Sequence, residues 1–348
     1  MDPTEYFTNS APTDPTITKT DHYIRRTHVI NASVPKPGDV SIRWDLSSRL
    51  RLAAHEYNVL GAESSGYTLI LTHGTSFNRF FWELVIDYML SKPGVKTAVK
   101  RIIAIDAANH GDSALLNHEV LPSKACWPDD SRDILRTLEH FNVQQPVIGI
   151  GHSFGGGSMC HAAMMQPDAF VATIFIEPIL FQMREQTGAL AKKTLRRRDR
   201  WESKAALTSA FEKGFHDWDK RQLDVFLEQG VVLLDQDDAS SGWTLKTPKE
   251  QESATYLAAP HPQILHLLER SKRRHHFIWG SDSTAISAEN RQLVERMVHH
   301  PSTTQVVSGA GHLIPMTHPE RLSSIIAGIL HQEAATGFQT EIPQRFRL

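Results

Sequence analysis

The stretch Pro146-Val147-Ile148-Gly149-Ile150-Gly151-His152-Ser153-Phe154-Gly155-Gly156-Gly157 decides the fold. A short apolar run ending at Ile150 reads as a strand, and from Gly157 to Gln166 the composition favours a helix. Ser153 therefore sits where strand becomes helix. So tight a turn holds its central residue in a strained backbone region, and a side chain at Gly151 or Gly155 would strike the neighbouring helix or strand. The serine hydroxyl is left projecting into a cleft. In this setting Gly-x-Ser-x-Gly reads as a nucleophile elbow.

A hydroxyl is a poor nucleophile until a base removes its proton, so the reading requires a downstream histidine on a loop and an acid to orient it. The chain carries 19 histidines. His312 stands apart, because Ser308-Gly309-Ala310-Gly311-His312-Leu313-Ile314-Pro315 follows the strand-like run Thr304 to Val307 and precedes a helix opening at Pro319. For the acid, Asp282 is preferred, since it lies just past the apolar run His276 to Trp279 and Gly280. Glu177, which ends the run Val171 to Ile176 before Pro178, is the alternative. The oxyanion of an acyl-transfer intermediate needs preorganised donors, each worth about 3 kcal/mol. Backbone amides of Phe154 and of Thr75, on the loop His73-Gly74-Thr75-Ser76, are the candidates. Trp82, His73 and His152 are expected to line the substrate site, with His73 also shaping its loop.

Taken in order, these segments resemble the α/β-hydrolase fold, and the resemblance runs from Arg51 to about Thr336. Ile102 to Asp106 followed by Asn109-His110-Gly111-Asp112-Ser113 is similar to that family's strand and His-Gly-x-Ser turn. The wording of Ser76 to Glu83 and of Asp106 to Ser113 resembles fungal hydrolases of toxin and other secondary-metabolite biosynthesis, and peroxisomal lipase-like relatives. The resemblance implies a serine hydrolase of an ester, thioester or lactone carbonyl, working through an acyl-enzyme. It leaves open the same scaffold used for C–C cleavage, cyclisation or carrier release of a polyketide, or for ligand binding with little turnover. A serine at the elbow argues against branches that build their ester on a carboxylate.

A dinucleotide-binding reading of Gly149, Gly151, Gly155 and Gly156, with Glu177 on a ribose and the Tyr88–Lys92 pair, fails on order. In such enzymes the glycine turn comes first and the tyrosine follows, and His312 would have no part. Neither a cofactor nor a catalytic metal is expected. Adjacent pairs such as His275-His276 and His299-His300 diverge on a strand or helix and do not chelate one ion.

The composition suits a globular enzyme. The 348 residues are 40% hydrophobic and carry a formal charge of -2, which leaves no electrostatic footprint for nucleic acid or an anionic membrane. With only Cys126 and Cys160, no disulfide framework is expected. No apolar run is long enough to span a membrane. Met1-Asp2-Pro3-Thr4-Glu5 has neither the basic nor the apolar part of a secretory signal, so a cytoplasmic location is expected. Phe346-Arg347-Leu348 offers a peroxisomal alternative, with bulky Phe346 departing from the usual small residue. The expected partner is a small-molecule acyl substrate, hydrophobic or carrier-linked.

Along the chain, residues 1–25 read as a flexible N-terminal arm, and 26–179 with 263–336 as an α/β core built on a mainly parallel sheet with helices on both faces. Residues 180–262 lose the alternating rhythm and read as a helical cap inserted after Glu177. Residues 337–348 form a tail. The basic cluster Lys192 to Arg200 is read as the solvated face of a cap helix, with attraction of an anionic thioester as the alternative.

Overall fold

The computed structural model describes residues 17–33, 50–235, 237–238, 240–298 and 302–336. The first strand of the central region, β4 (Tyr67–Thr72), and β6 (Val147–His152) are buried at every position. Such runs cannot face water on either side, which places them in the middle of a sheet covered on both faces. Among the described residues the central sheet has nine strands, in the order β1-β2-β3-β5-β4-β6-β7-β10-β11. Besides β4 and β6 these are β1 (Ile17–Lys19), β2 (Tyr23–Asn31), β3 (Arg51–Val59), β5 (Val99–Ile105), β7 (Ala172–Ile176), β10 (Arg274–Gly280) and β11 (Thr303–Val307). From β5 through β11 neighbouring strands are parallel, and β1, β2, β3 and β5 pair antiparallel. Parallel connections require crossovers, and the helices supplying them cover the sheet.

Two apolar layers result. On one face Trp82, Ile86 and Met89 of the helix Trp82–Leu90 join Leu322, Ile326 and Leu330 of Pro319–Ala335 against Leu69, Ile102 and Ile148. On the other, Ile134 of Trp127–His140 and Met159 of Ser153–Met165 pack on Ile70, Ile103 and Phe175. One part of the expected arm is corrected. Residues 17–25 belong to the sheet, because Ile17 to Lys19 and Ile24 to Arg26 exchange ladder bonds and Tyr23 pairs with Val59. Residues 1–16 and the tail from 337, including Phe346-Arg347-Leu348, lie outside the described residues, as do His299 and His300.

Between β7 and β10 the chain forms the helices Arg184–Arg196, Lys204–Gly214, Lys220–Gln229 and Lys249–Leu257, as well as a small antiparallel pair, β8 (Val231–Leu233) with β9 (Trp243–Leu245). This pair was not anticipated, since three-residue strands carry too few alternations to register as a period. An aromatic cluster joins this segment to the core: Trp218 and Phe226 meet Phe77 and Phe81 at centroid distances of 5.7 to 5.9 Å. Gln222 donates to the carbonyls of Phe81 and Pro315. Among the basic residues, Arg197 pairs with Glu252 and Arg198 with Glu202, while Lys192, Lys193 and Arg196 are exposed.

A buried ionic network braces the loop after β4. Arg79, 1% exposed, reaches Asp106 at 2.6 Å and Asp112 at 2.8 Å, and Lys246 from beyond β9 meets Asp112 at 2.6 Å. Asp106 also accepts the backbone amides of Arg79 and Asp112. Charges this deep are tolerated only when every partner is present. Arg79→Met is expected to lower unfolding free energy by about 3 to 5 kcal/mol in urea titration, because the buried Asp106 carboxylate loses its cation while Asp112 keeps Lys246; a loss below about 1 kcal/mol would contradict that account.

Burial also holds imidazoles neutral. His275 on β10 bonds Thr173 and Ser271, and burial, aided by neighbouring His276, pushes its pKa down to about 4. His152, at the end of β6, is pushed down to about 3 by burial and then by His312. Both folded values lie below the ordinary 6.5, so at intermediate pH the unfolded chain binds more protons. Stability is therefore full above about 6.5 and falls as pH drops toward 4, by about 1.4 kcal/mol per pH unit for each such histidine. Urea midpoints at pH 8 and pH 5 check this, and an unchanged or higher midpoint at pH 5 would contradict it.

Candidate functional site

Ser153 is the first residue of its helix and has φ of 55°, the left-handed region that a serine rarely adopts. The crowding expected at the elbow is present. A Cβ on Gly151 would lie 2.6 Å from the carbonyl oxygen of Gly155, and one on Gly155 would collide with the carbonyl of His73. Packing of the helix start against the strand ends thus holds Ser153 in its strained pose.

The Ser153 hydroxyl lies 2.8 Å from Nε2 of His312. The other ring nitrogen, Nδ1, lies 3.0 Å from Oε2 of Glu177. A carboxylate can only accept, so Nδ1 carries the proton and Nε2 is left free to accept from the serine. Glu177 is completely buried, with φ of 47° just past β7. Burial alone would raise its pKa. Hydrogen bonds from His312, from the Ser283 hydroxyl at 2.6 Å and from the Gly280 amide at 2.8 Å outweigh this and hold it below the ordinary value. The group beside the imidazole is therefore an anion at neutral pH.

Asp282 is not that group, which corrects the preferred sequence assignment. Its backbone amide binds the carbonyl of Ala310 and so places it near the histidine loop, but its carboxylate is exposed and accepts from the Ser281 hydroxyl at 2.6 Å. The strands β7 and β10 are neighbours and both end beside this loop, so either strand could have supplied the acid. Sequence reading did not single out Ser283, Gly280 or Arg291. Arg291 donates to the carbonyls of Gly280 and Ser283 at 2.8 Å each, and so fixes the loop that solvates Glu177.

The remaining candidates divide. Phe154 follows Ser153 in the first turn, where helix amides have no intrahelical acceptor, and its ring packs on Trp127 and His110. Thr75 is buried on the loop after β4, beside Ser76 with φ of 78°. The hydroxyl of Tyr256 reaches Ser76 at 3.4 Å from the helix Lys249–Leu257. Trp82 does not line a site: it is 1% exposed within the core layer beneath the sheet. His73 is a strut, with Nδ1–H donating to the Gly74 carbonyl at 2.8 Å and Nε2 accepting the Ala107 amide at 3.0 Å. His152 is equally enclosed, its Nε2 lying 2.9 Å from the backbone oxygen of His312. Among the described residues, no helix is long and apolar enough to cross a membrane.

Comparison with known proteins agrees with this fold. The type I acyl-CoA thioesterase mpaH of Penicillium roqueforti is 28% identical over 165 residues, covering 45% of this chain and 38% of that protein. The match thus spans well under half of that relative. An abhydrolase domain-containing protein of Alternaria alternata, ACTT2, is 24% identical over 53% of this chain and 83% of its own length. The solved structure of the Saccharomyces cerevisiae peroxisomal alpha-beta-hydrolase Lpx1 superposes with a TM-score of 0.80 at 20% identity, covering 93% of both chains. With residues 69–325 matching it, together with the strand order and the serine elbow, the chain belongs to the alpha/beta hydrolase family.

Proposed function

We propose that this protein hydrolyses an acyl thioester or ester, with Ser153 as nucleophile, His312 as general base and acid, and Glu177 as the orienting carboxylate. The observation carrying this reading is the continuous hydrogen-bonded chain from Glu177 through His312 to the Ser153 hydroxyl. Ser153 Oγ attacks the acyl carbonyl carbon while His312 Nε2 takes its proton, and the ionised Glu177 stabilises the resulting imidazolium. The amides of Phe154 and Thr75 hold the oxyanion. Collapse breaks the bond to the leaving sulfur or oxygen, which receives the proton from Nε2. Water then attacks the acyl-enzyme as Nε2 accepts its proton, and Ser153 and a free acid result.

The thioester is the favoured substrate because the Penicillium relative is an acyl-CoA thioesterase, and a setting in fungal secondary metabolism belongs to the same reading. The test follows thiol release from an acyl-CoA. Ser153→Ala is expected to remove turnover while its circular dichroism matches wild type. Glu177→Gln should lower kcat by about 10⁴, through loss of the productive tautomer. Asp282→Asn, at an exposed position, should stay within about twofold of wild type. Retained turnover in Ser153→Ala would overturn the nucleophile, and a silent Glu177→Gln beside a crippled Asp282→Asn would overturn the acid.

A further inference from the structure

Two loops from distant parts of the chain meet on one enclosed side chain at the end of β6. The His152 ring is 1% exposed and directly precedes Ser153. Its Nε2 lies 2.9 Å from the carbonyl oxygen of His312, 160 residues away. A carbonyl can only accept, so Nε2 carries the hydrogen and Nδ1 is bare. That Nδ1 is buried and has no hydrogen-bond partner. It faces Gly74, where a Cβ would fall 2.7 Å from Nδ1 and 3.2 Å from the Cβ of Ser153. The ring centroids of His312 and Phe77 lie 5.3 and 6.4 Å away.

Stability alone does not account for a histidine here. A buried acceptor without a donor costs about 1 to 3 kcal/mol, and an apolar side chain of similar volume would fill the space without that cost. What an apolar side chain could not supply is the donor to His312. We propose that His152 is a positioning residue: its Nε2–H pins the backbone of His312 to the serine turn, and so fixes the approach of the His312 imidazole to Ser153. Gly74 leaves room for the ring, so the loop carrying Thr75 is registered against the same side chain. His152 also does this without charge, since burial and then His312 keep it neutral, with His73 the other charged or titratable neighbour acting on it. When His312 takes the serine proton, no second cation stands beside it.

This inference rests on the proposed function, and two measurements separate the two. The first is ring ¹⁵N NMR of Ser153→Ala between pH 5 and 8, which needs no substrate. His152 is expected as the Nε2–H tautomer throughout. An Nδ1–H tautomer, or titration near pH 6.5, would overturn the proposal. The second compares His152→Leu, which lacks a donor, with His152→Gln, whose amide can still donate. Displacement of a reacting group by about 1 Å can cost about 100-fold, so the leucine variant should lose about that much kcat with KM nearly unchanged, and glutamine should restore most of it. Wild-type kcat in the leucine variant, or equal losses in both, would overturn the proposal. Should wild type release no thiol while the tautomer is as expected, the thioesterase reading fails and the pinning geometry stands.

Discussion

The molecule is organised around a turn too tight for ordinary side chains. Ser153 is held at positive φ because its helix begins directly against the ends of β4 and β6, with glycines at the points of contact. Such a conformation costs on the order of 1 to 3 kcal/mol and persists only where the surroundings enforce it. Here the enforcement comes from two strands buried on both faces and the helix Ser153–Met165 packed over them. Glu177 repeats the device one strand away, with φ of 47° at the end of β7. Adjacent parallel strands thus deliver two polar side chains from strained positions at the same edge of the sheet, and the loop after β11 brings His312 between them.

Electrostatics complete what packing begins. Glu177 has no exposure to water, so its charge survives only through the donors set around it. His312, the Gly280 amide and the Ser283 hydroxyl supply them, and Arg291 steadies the last two. Farther out, Arg79 with Asp106, Asp112 and Lys246 ties the loop after β4 to the segment between β7 and β10. The aromatic cluster around Trp218 makes the same connection apolar. Rigid support of this kind is what lets a hydrogen-bonded chain keep its spacing.

Much of this was legible in the chain because the decisive features are local. The strand–Gly-x-Ser-x-Gly–helix register, the glycine-flanked His312 loop and the alternation of strands with helices each lie within a dozen residues. The acid was not local. Asp282 and Glu177 both follow apolar strands, and the choice turned on a φ value, on the longer reach of a glutamate and on donors from Gly280 and Ser283, none of which a pattern records. Trp82 looked available beside the loop after β4 but belongs to a helix whose apolar face turns into the core. His152 and His73 were read as facing substrate, but His73 spends both ring nitrogens on backbone groups and His152 spends its Nε2 on the His312 carbonyl.

The most direct examination of the central claim is the mass of the peptide containing Ser153 after brief exposure to an acyl thioester and acid quench. The account predicts that this peptide gains the mass of the acyl group less one hydrogen, and that the gain disappears as hydrolysis runs to completion. Turnover that leaves Ser153 unmodified under conditions where the quench outpaces deacylation, or an acyl group carried on another residue, would contradict it.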